Sequence, residues 1–219
     1  MVYSTICPMK SPNPFLTCDQ RKSVFGAATF GSIERELYKG DICFNDFIYG
    51  TLMRDPMDRL ESQINYEGPK KYQPIIDCVW QASQFKTIFR SNTHCDSFMG
   101  IYKHVHTIFD NFIVRSLAGA EVFHLPPGRI TAVHYRKALK MLNSFQLVIP
   151  LNEISSLKAQ ARMRKVLGWH VEALDHATVR ATKHKVTFSR ATRRRLMILN
   201  KYDLALYDYV KRQWNKMRW

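Results

Sequence analysis

The chain is short of the residues that disorder and fibres are made from. Its 219 residues include only 9 glycines and 9 prolines, against 27 aromatics and 46% apolar residues. That balance excludes a low-complexity or wholly disordered protein. A long apolar run is missing too. The longest, Phe145 to Leu151, contains a Gln and a Pro, and a membrane-spanning helix needs roughly 20 apolar residues. The opening MVYSTICPMKSPNPF lacks a basic end followed by an apolar stretch, so it does not read as a secretory signal. Cys7, Cys18, Cys43, Cys78 and Cys95 contain no CxxC pair. Their odd count argues against a closed disulfide framework and leaves room for one or two bridges. Neither His94-Cys95 nor His104-Val105-His106 has the paired spacing of a structural zinc site, so no metal is expected.

What the chain has in excess is positive charge, and it is unevenly placed. The net charge is +15. Residues 156–219 carry 16 basic and 4 acidic side chains, a net +12, and leave only +3 for residues 1–155. A basic third of this kind attracts polyanions such as nucleic acid, an acidic polysaccharide or a phosphorylated small ligand; the alternative is a solvated face with no specific partner. No zinc finger, RNA-recognition aromatic motif or helix-turn-helix accompanies it, so a specific nucleic-acid partner is not expected.

Proline-punctuated residues 1–25 read as an irregular segment, and residues 26–219 as one domain of ordinary size. Ile42 to Met53 reads as a buried strand, and Phe145 to Pro150 as a second one. Glu121 to Leu125 has the composition of a short third strand. Helices are expected over Pro56 to Tyr66, Ile75 to Phe89, Ile101 to Leu117, Thr131 to Leu142, Ile154 to Leu167, Ser189 to Ile198 and Lys201 to Lys216. Strands separated by helices indicate an α/β fold with a mostly parallel sheet.

The most informative stretch is Leu52-Met53-Arg54-Asp55-Pro56-Met57-Asp58-Arg59-Leu60-Glu61-Ser62. Asp55 and Pro56 are helix-start residues. In α/β sheets ligands sit beyond the carboxyl ends of strands, where a helix N-terminus favours anions. Arg54 offers a bidentate donor there, and Ser62 falls on the same helical stripe as Asp55 and Arg59. Together they form a candidate phosphate site. A purely structural arrangement competes with it, in which Asp55 caps the helix and Arg59 pairs with Asp55 or Asp58.

The run LMRDPMDRLESQ resembles the 3′-phosphate-binding motif of the Golgi-type carbohydrate sulfotransferases, and further similar pieces follow in order. They are Asp110 to Gly119 (DNFIVRSLAG), Ala138 to Leu151 (ALKMLNSFQLVIPL), Leu167-Gly168-Trp169, and Leu199 to Tyr209 (LNKYDLALYDY). The resemblance covers about residues 26–214. It implies a P-loop-like sulfotransferase fold with a parallel central sheet flanked by helices. It also implies transfer of sulfate from 3′-phosphoadenosine 5′-phosphosulfate (PAPS) to a carbohydrate hydroxyl, without a metal. Carried over by position, Arg54 and Ser62 hold the 3′-phosphate of PAPS, and Asn111 and Arg115 lie near the substrate, with an interhelical hydrogen bond as their alternative. A membrane-anchored Golgi location is implied as well.

Two parts of the family pattern are not met. Only 53 residues precede Arg54, and Arg21-Lys22-Ser23 poorly imitates the PKxGSTS-type loop that cradles the 5′-phosphosulfate. Ala27 stands where many relatives carry a histidine, the candidate general base. The catalytic residue is therefore unassigned, and an N-terminally incomplete member is expected. The alternative function is a catalytically inactive basic module that binds an acidic glycan or a nucleotide.

Overall fold

A computed structural model describes residues 15–25, 32–33, 35–67, 69–84, 105–169 and 187–217. Among them two strands, β1 (Gly50–Met53) and β2 (Leu147–Pro150), pair in parallel with Gly50 opposite Leu147 and Met53 opposite Pro150. The helices are α1 (Cys18–Phe25), α2 (Pro56–Glu67), α3 (Pro69–Gln84), α4 (Val105–Phe109), α5 (Phe112–Ala118) and α6 (Ala120–Phe123). After them come α7 (Ala132–Asn143), α8 (Leu157–Leu167), α9 (Arg190–Leu199) and α10 (Lys201–Lys216). The fold is mixed α/β, with a small parallel sheet and many helices.

Alternation along the strands decides which helices meet which face. Met53 and Val148 point into a core shared with Val114, Ala118, Ala138, Leu142 and Leu206 from α5, α7 and α10. Leu147 and Ile149 point the other way, onto Ala159 and Met163 of α8 and Trp214 of α10. A further core joins α2, α3, α4 and α9 through Leu60, Ile64, Ile76, Val79, Phe109 and Leu196. Because α8 covers β2, Leu52 on the same face of β1 stays 47% exposed.

Several expectations need correction. Between Ile42 and Met53 only the last four residues pair as a strand. The residues before them run through a turn at 44–46, and Tyr49 packs against Phe44 from that turn and against Phe145, which precedes β2. The expected strand at Glu121 to Leu125 is instead a helical turn, α6. The expected helix from Ile101 to Leu117 is broken at Asn111, whose left-handed backbone (φ 51°) separates α4 from α5; residues 101–104 lie outside the described residues. The irregular N-terminal segment contains α1. Arg21 of that helix is buried and donates to the Gly40 carbonyl at 2.8 Å, so the Arg21-Lys22-Ser23 run is part of a helix rather than of a phosphate loop. The helix expected over Ile75 to Phe89 begins earlier, at Pro69, and is described to Gln84.

Three of the five cysteines are disulfide-bonded among the described residues. Cys18 and Cys43 are disulfide-bonded, tying α1 to the turn that leads into β1, and Cys78 is also disulfide-bonded. Among the described residues, Cys18, Cys43 and Asp46 are the grouping close enough to hold an ion, and its two sulfurs are bonded to each other.

Candidate functional site

The segment that follows β1 runs along the carboxyl edge of the sheet. Asp55 caps α2: its Oδ1 accepts the Met57 N–H at 2.8 Å and the Asp58 N–H at 3.3 Å. Pro56 has no N–H, and the Arg59 N–H reaches the Asp55 carbonyl at 2.9 Å. The amides of the first turn are thus answered within the chain, and an anion at this end must be held by side chains.

Arg54 and Ser62 are the side chains the sequence nominates. Arg54 is exposed, Ser62 is partly buried, and neither has a hydrogen bond or ion pair among the described residues. Ser62 lies about 10 Å along the helix from Asp55. Their availability contrasts with that of Arg59. Its guanidinium turns inward, donates to the Ile108 carbonyl at 2.5 Å and lies 4.8 Å over the Phe112 ring. Burial lowers its pKa, and the nearby Asp203 opposes that shift. The pairing of Arg59 with Asp55 or Asp58 is not formed; its Nε is enclosed without an acceptor among the described residues.

Tyr207 of α10 reaches the same edge of the sheet. Its hydroxyl donates to Asn152 Oδ1 at 3.2 Å, in the 3-10 turn Leu151–Glu153 directly after β2. Burial raises the phenol's pKa, and Asp55, Asp58, Glu153 and Asp208 raise it further. The edge therefore combines a cationic flank at Arg54 with a carboxylate-ringed phenol. The signal available in the sequence was the polar pair Asn152-Glu153 one residue beyond the second strand, much as Arg54-Asp55 follows the first.

Asn111 and Arg115 sit away from solvent, at the seam between two cores. Arg115 is fully buried, and each of its N–H groups has an acceptor. Nε reaches the Asp110 carbonyl at 2.6 Å and Nη2 reaches Asp110 Oδ2 at 2.6 Å. Nη1 donates to the carbonyls of Phe123 at 2.9 Å and Leu125 at 2.6 Å, and Nη2 also to that of Pro126 at 3.1 Å. The guanidinium thereby caps the carbonyl end of α6. Asp110 Oδ2 also accepts the Gly128 N–H at 2.8 Å. Gly128 has φ +73° and approaches Ser83 of α3 so closely that a Cβ would stand 2.9 Å from it, which only glycine permits.

Asn111 completes a reciprocal cap. Its Oδ1 accepts the N–H groups of Tyr202 (2.9 Å) and Asp203 (3.2 Å), closing the start of α10. The Asp203 carboxylate accepts those of Ile113 (2.9 Å) and Val114 (2.8 Å), closing the start of α5. Asn200 Nδ2 holds the Phe109 carbonyl at 2.7 Å, and its Oδ1 takes the Asn111 N–H at 3.1 Å. Asp203 is pushed up to about 6 because burial outweighs these bonds and Arg59. The interhelical bonding of Asn111 and Arg115 is what the geometry displays; their donors are turned inward.

The basic third spreads over three helices. Arg193 pairs with Glu61 at 2.8 Å and Arg195 with Asp77 at 2.9 Å. Lys158 donates to the Trp214 carbonyl at the end of α10. Arg164, Lys165, Arg190 and Arg194 are exposed and make no ion pair among the described residues. Ala27, the position aligned with the family's candidate base, lies outside the described residues. No helix among the described residues is long and apolar enough to cross a membrane.

No family model, curated protein or solved structure matches the chain.

Proposed function

We propose that the chain is a sulfotransferase-like protein that holds the 3′-phosphate of a 3′,5′-bisphosphate nucleotide through Arg54 and Ser62, in the setting of sulfate transfer from PAPS to a carbohydrate hydroxyl. The observation that carries this reading is the state of Arg54. It stands at the carboxyl end of a strand in a parallel pair, directly before a capped helix, with its guanidinium exposed and no partner among the described residues. The Golgi lumen is the proposed location, and two disulfide-bonded sites favour an oxidising compartment. Asn111 and Arg115 enter the proposal as groups that position α5 and α10 rather than as ligand contacts.

A second reading is an inactive basic module for acidic glycans, favoured by α8, which carries four basic residues and no acidic one. Thermal shift with 3′,5′-ADP and with heparin separates the two. The first reading expects the nucleotide to raise the melting temperature of the parent. Arg54→Ala should weaken its binding by about 1.5–3 kcal/mol, the range for a hydrogen bond to a charged group. Equal nucleotide affinity in the variant and the parent sinks the phosphate assignment, and stabilisation by heparin alone establishes the second reading.

A further inference from the structure

The outward face of α9 is built differently from the other basic surfaces. The helix reads RATRRRLMIL and contains no acidic residue. Thr192, Leu196 and Leu199 turn inward to the core shared with α2 and α3. Arg190, Arg194, Met197 and Ile198, at offsets 0, 4, 7 and 8, share the opposite face. Met197 is 45% and Ile198 48% exposed, two large apolar side chains adjacent in sequence on a cationic surface. The carboxylates of Glu61 and Asp77 are occupied at the margins by Arg193 and Arg195. Arg190 and Arg194 between them have no acidic partner among the described residues.

We propose that this face of α9 is a membrane-contact surface that seats on anionic lipid headgroups, with Met197 and Ile198 entering the headgroup boundary and the arginines contacting phosphate and carboxylate groups. The charge complementarity is one-sided along the whole helix, as basic interfacial helices require. The apolar pair selects a lipid over a soluble polyanion. A glycan or nucleic acid gains from the arginines alone, whereas a bilayer surface also removes Met197 and Ile198 from water. A helix of ten residues is about 15 Å long and lies on such a surface without crossing it. This contact is independent of the nucleotide site at Arg54.

Cosedimentation of the full chain with phosphatidylcholine vesicles, with and without phosphatidylserine, tests the assignment. Binding is expected only when phosphatidylserine is present and should weaken as salt rises. Arg190→Glu with Arg194→Glu should lower the vesicle-bound fraction at least about tenfold, since each basic side chain near an anionic surface adds to the attraction. Met197→Ser with Ile198→Ser should lower vesicle binding about tenfold or more and leave elution from a heparin column unchanged. These side chains are exposed, so both variants should keep the parent's melting temperature. Absence of vesicle binding by the parent overturns the proposal. So does an apolar double variant that binds vesicles as the parent does, which would make α9 a polyanion surface. Unchanged binding by the charge variant overturns it as well.

Discussion

Two polar regions of this molecule carry similar residue types and are bonded in opposite ways. At the seam between the cores, Asp110, Asn111, Arg115, Asn200 and Asp203 are buried and bonded to one another and to helix ends. At the sheet's carboxyl edge, Arg54 and Ser62 have no partner among the described residues. A buried polar group is costly to leave unpaired, so a buried region is driven to complete its own bonding. An exposed arginine is under no such pressure, and its donors stay open for a ligand. Residue identity does not separate a ligand-binding arginine from a structural one; burial and the nearest acceptors do.

The sharpest way to break the comparison is Arg115→Ala. It leaves the Asp110 carboxylate buried without its cation and uncovers the carbonyls of Phe123, Leu125 and Pro126. Removing one member of a buried pair costs about 3–5 kcal/mol, read as a fall in the urea midpoint. A loss below about 1 kcal/mol would mean that the seam is not held together as described. Arg54→Ala, by contrast, should stay within about 0.5 kcal/mol of the parent, as surface substitutions do.

The seam also gives the protein a pH dependence. The Asp203 carboxyl sits at about 6 in the fold, against an ordinary 3.8, because it is buried. The folded chain therefore holds a proton that the unfolded chain has released between these values. The associated stabilisation is complete below the unfolded value and is lost as pH rises through about 6. The difference is worth about 3 kcal/mol by linkage. Urea midpoints measured between these values should fall with rising pH, and Asp203→Asn should flatten that trend. A fall that survives undiminished in Asp203→Asn would assign the pH dependence to other groups.

The sequence makes the longer helices and the positions of both paired strands legible because their apolar spacing is regular, whereas α1 and α6 escape it. Tyr207, Val210 and Trp214 mark one face of α10, and that helix is found over the range its pattern indicates. What pattern could not reveal is competition between local and distant partners. Ile101 to Leu117 has an unbroken apolar stripe, yet the chain turns at Asn111 because Asn111 and Asp203 cap each other's helices across 92 residues. Glu121 to Leu125 has strand-like composition, yet among the described residues no strand pairs with it, and Arg115 gathers its carbonyls instead. Arg59 stands one turn from Asp55 and looks like its ion-pair partner, but Phe112 and the Ile108 carbonyl claim it from another helix. At the candidate site the cap at Asp55 was readable from local chemistry; the approach of Tyr207 from the far end of the chain was not.

The finest test of the comparison lies within the candidate site, between neighbours that differ in burial and bonding. Asp55 accepts two backbone N–H groups at the start of α2, and losing such a cap costs about 1 kcal/mol of stability. Asp55→Ala should lower the urea midpoint by that amount. It should also strengthen 3′,5′-ADP binding slightly, because it frees the Met57 and Asp58 amides and removes a negative charge beside Arg54. Ser62→Ala should do the reverse: leave stability within a few tenths of a kcal/mol, since its hydroxyl has no partner among the described residues, and weaken the nucleotide by about 1 kcal/mol, the worth of one hydrogen bond. If Ser62→Ala destabilises the fold and leaves nucleotide binding untouched, Ser62 belongs with the seam rather than with the site, and Arg54 must hold the phosphate without it.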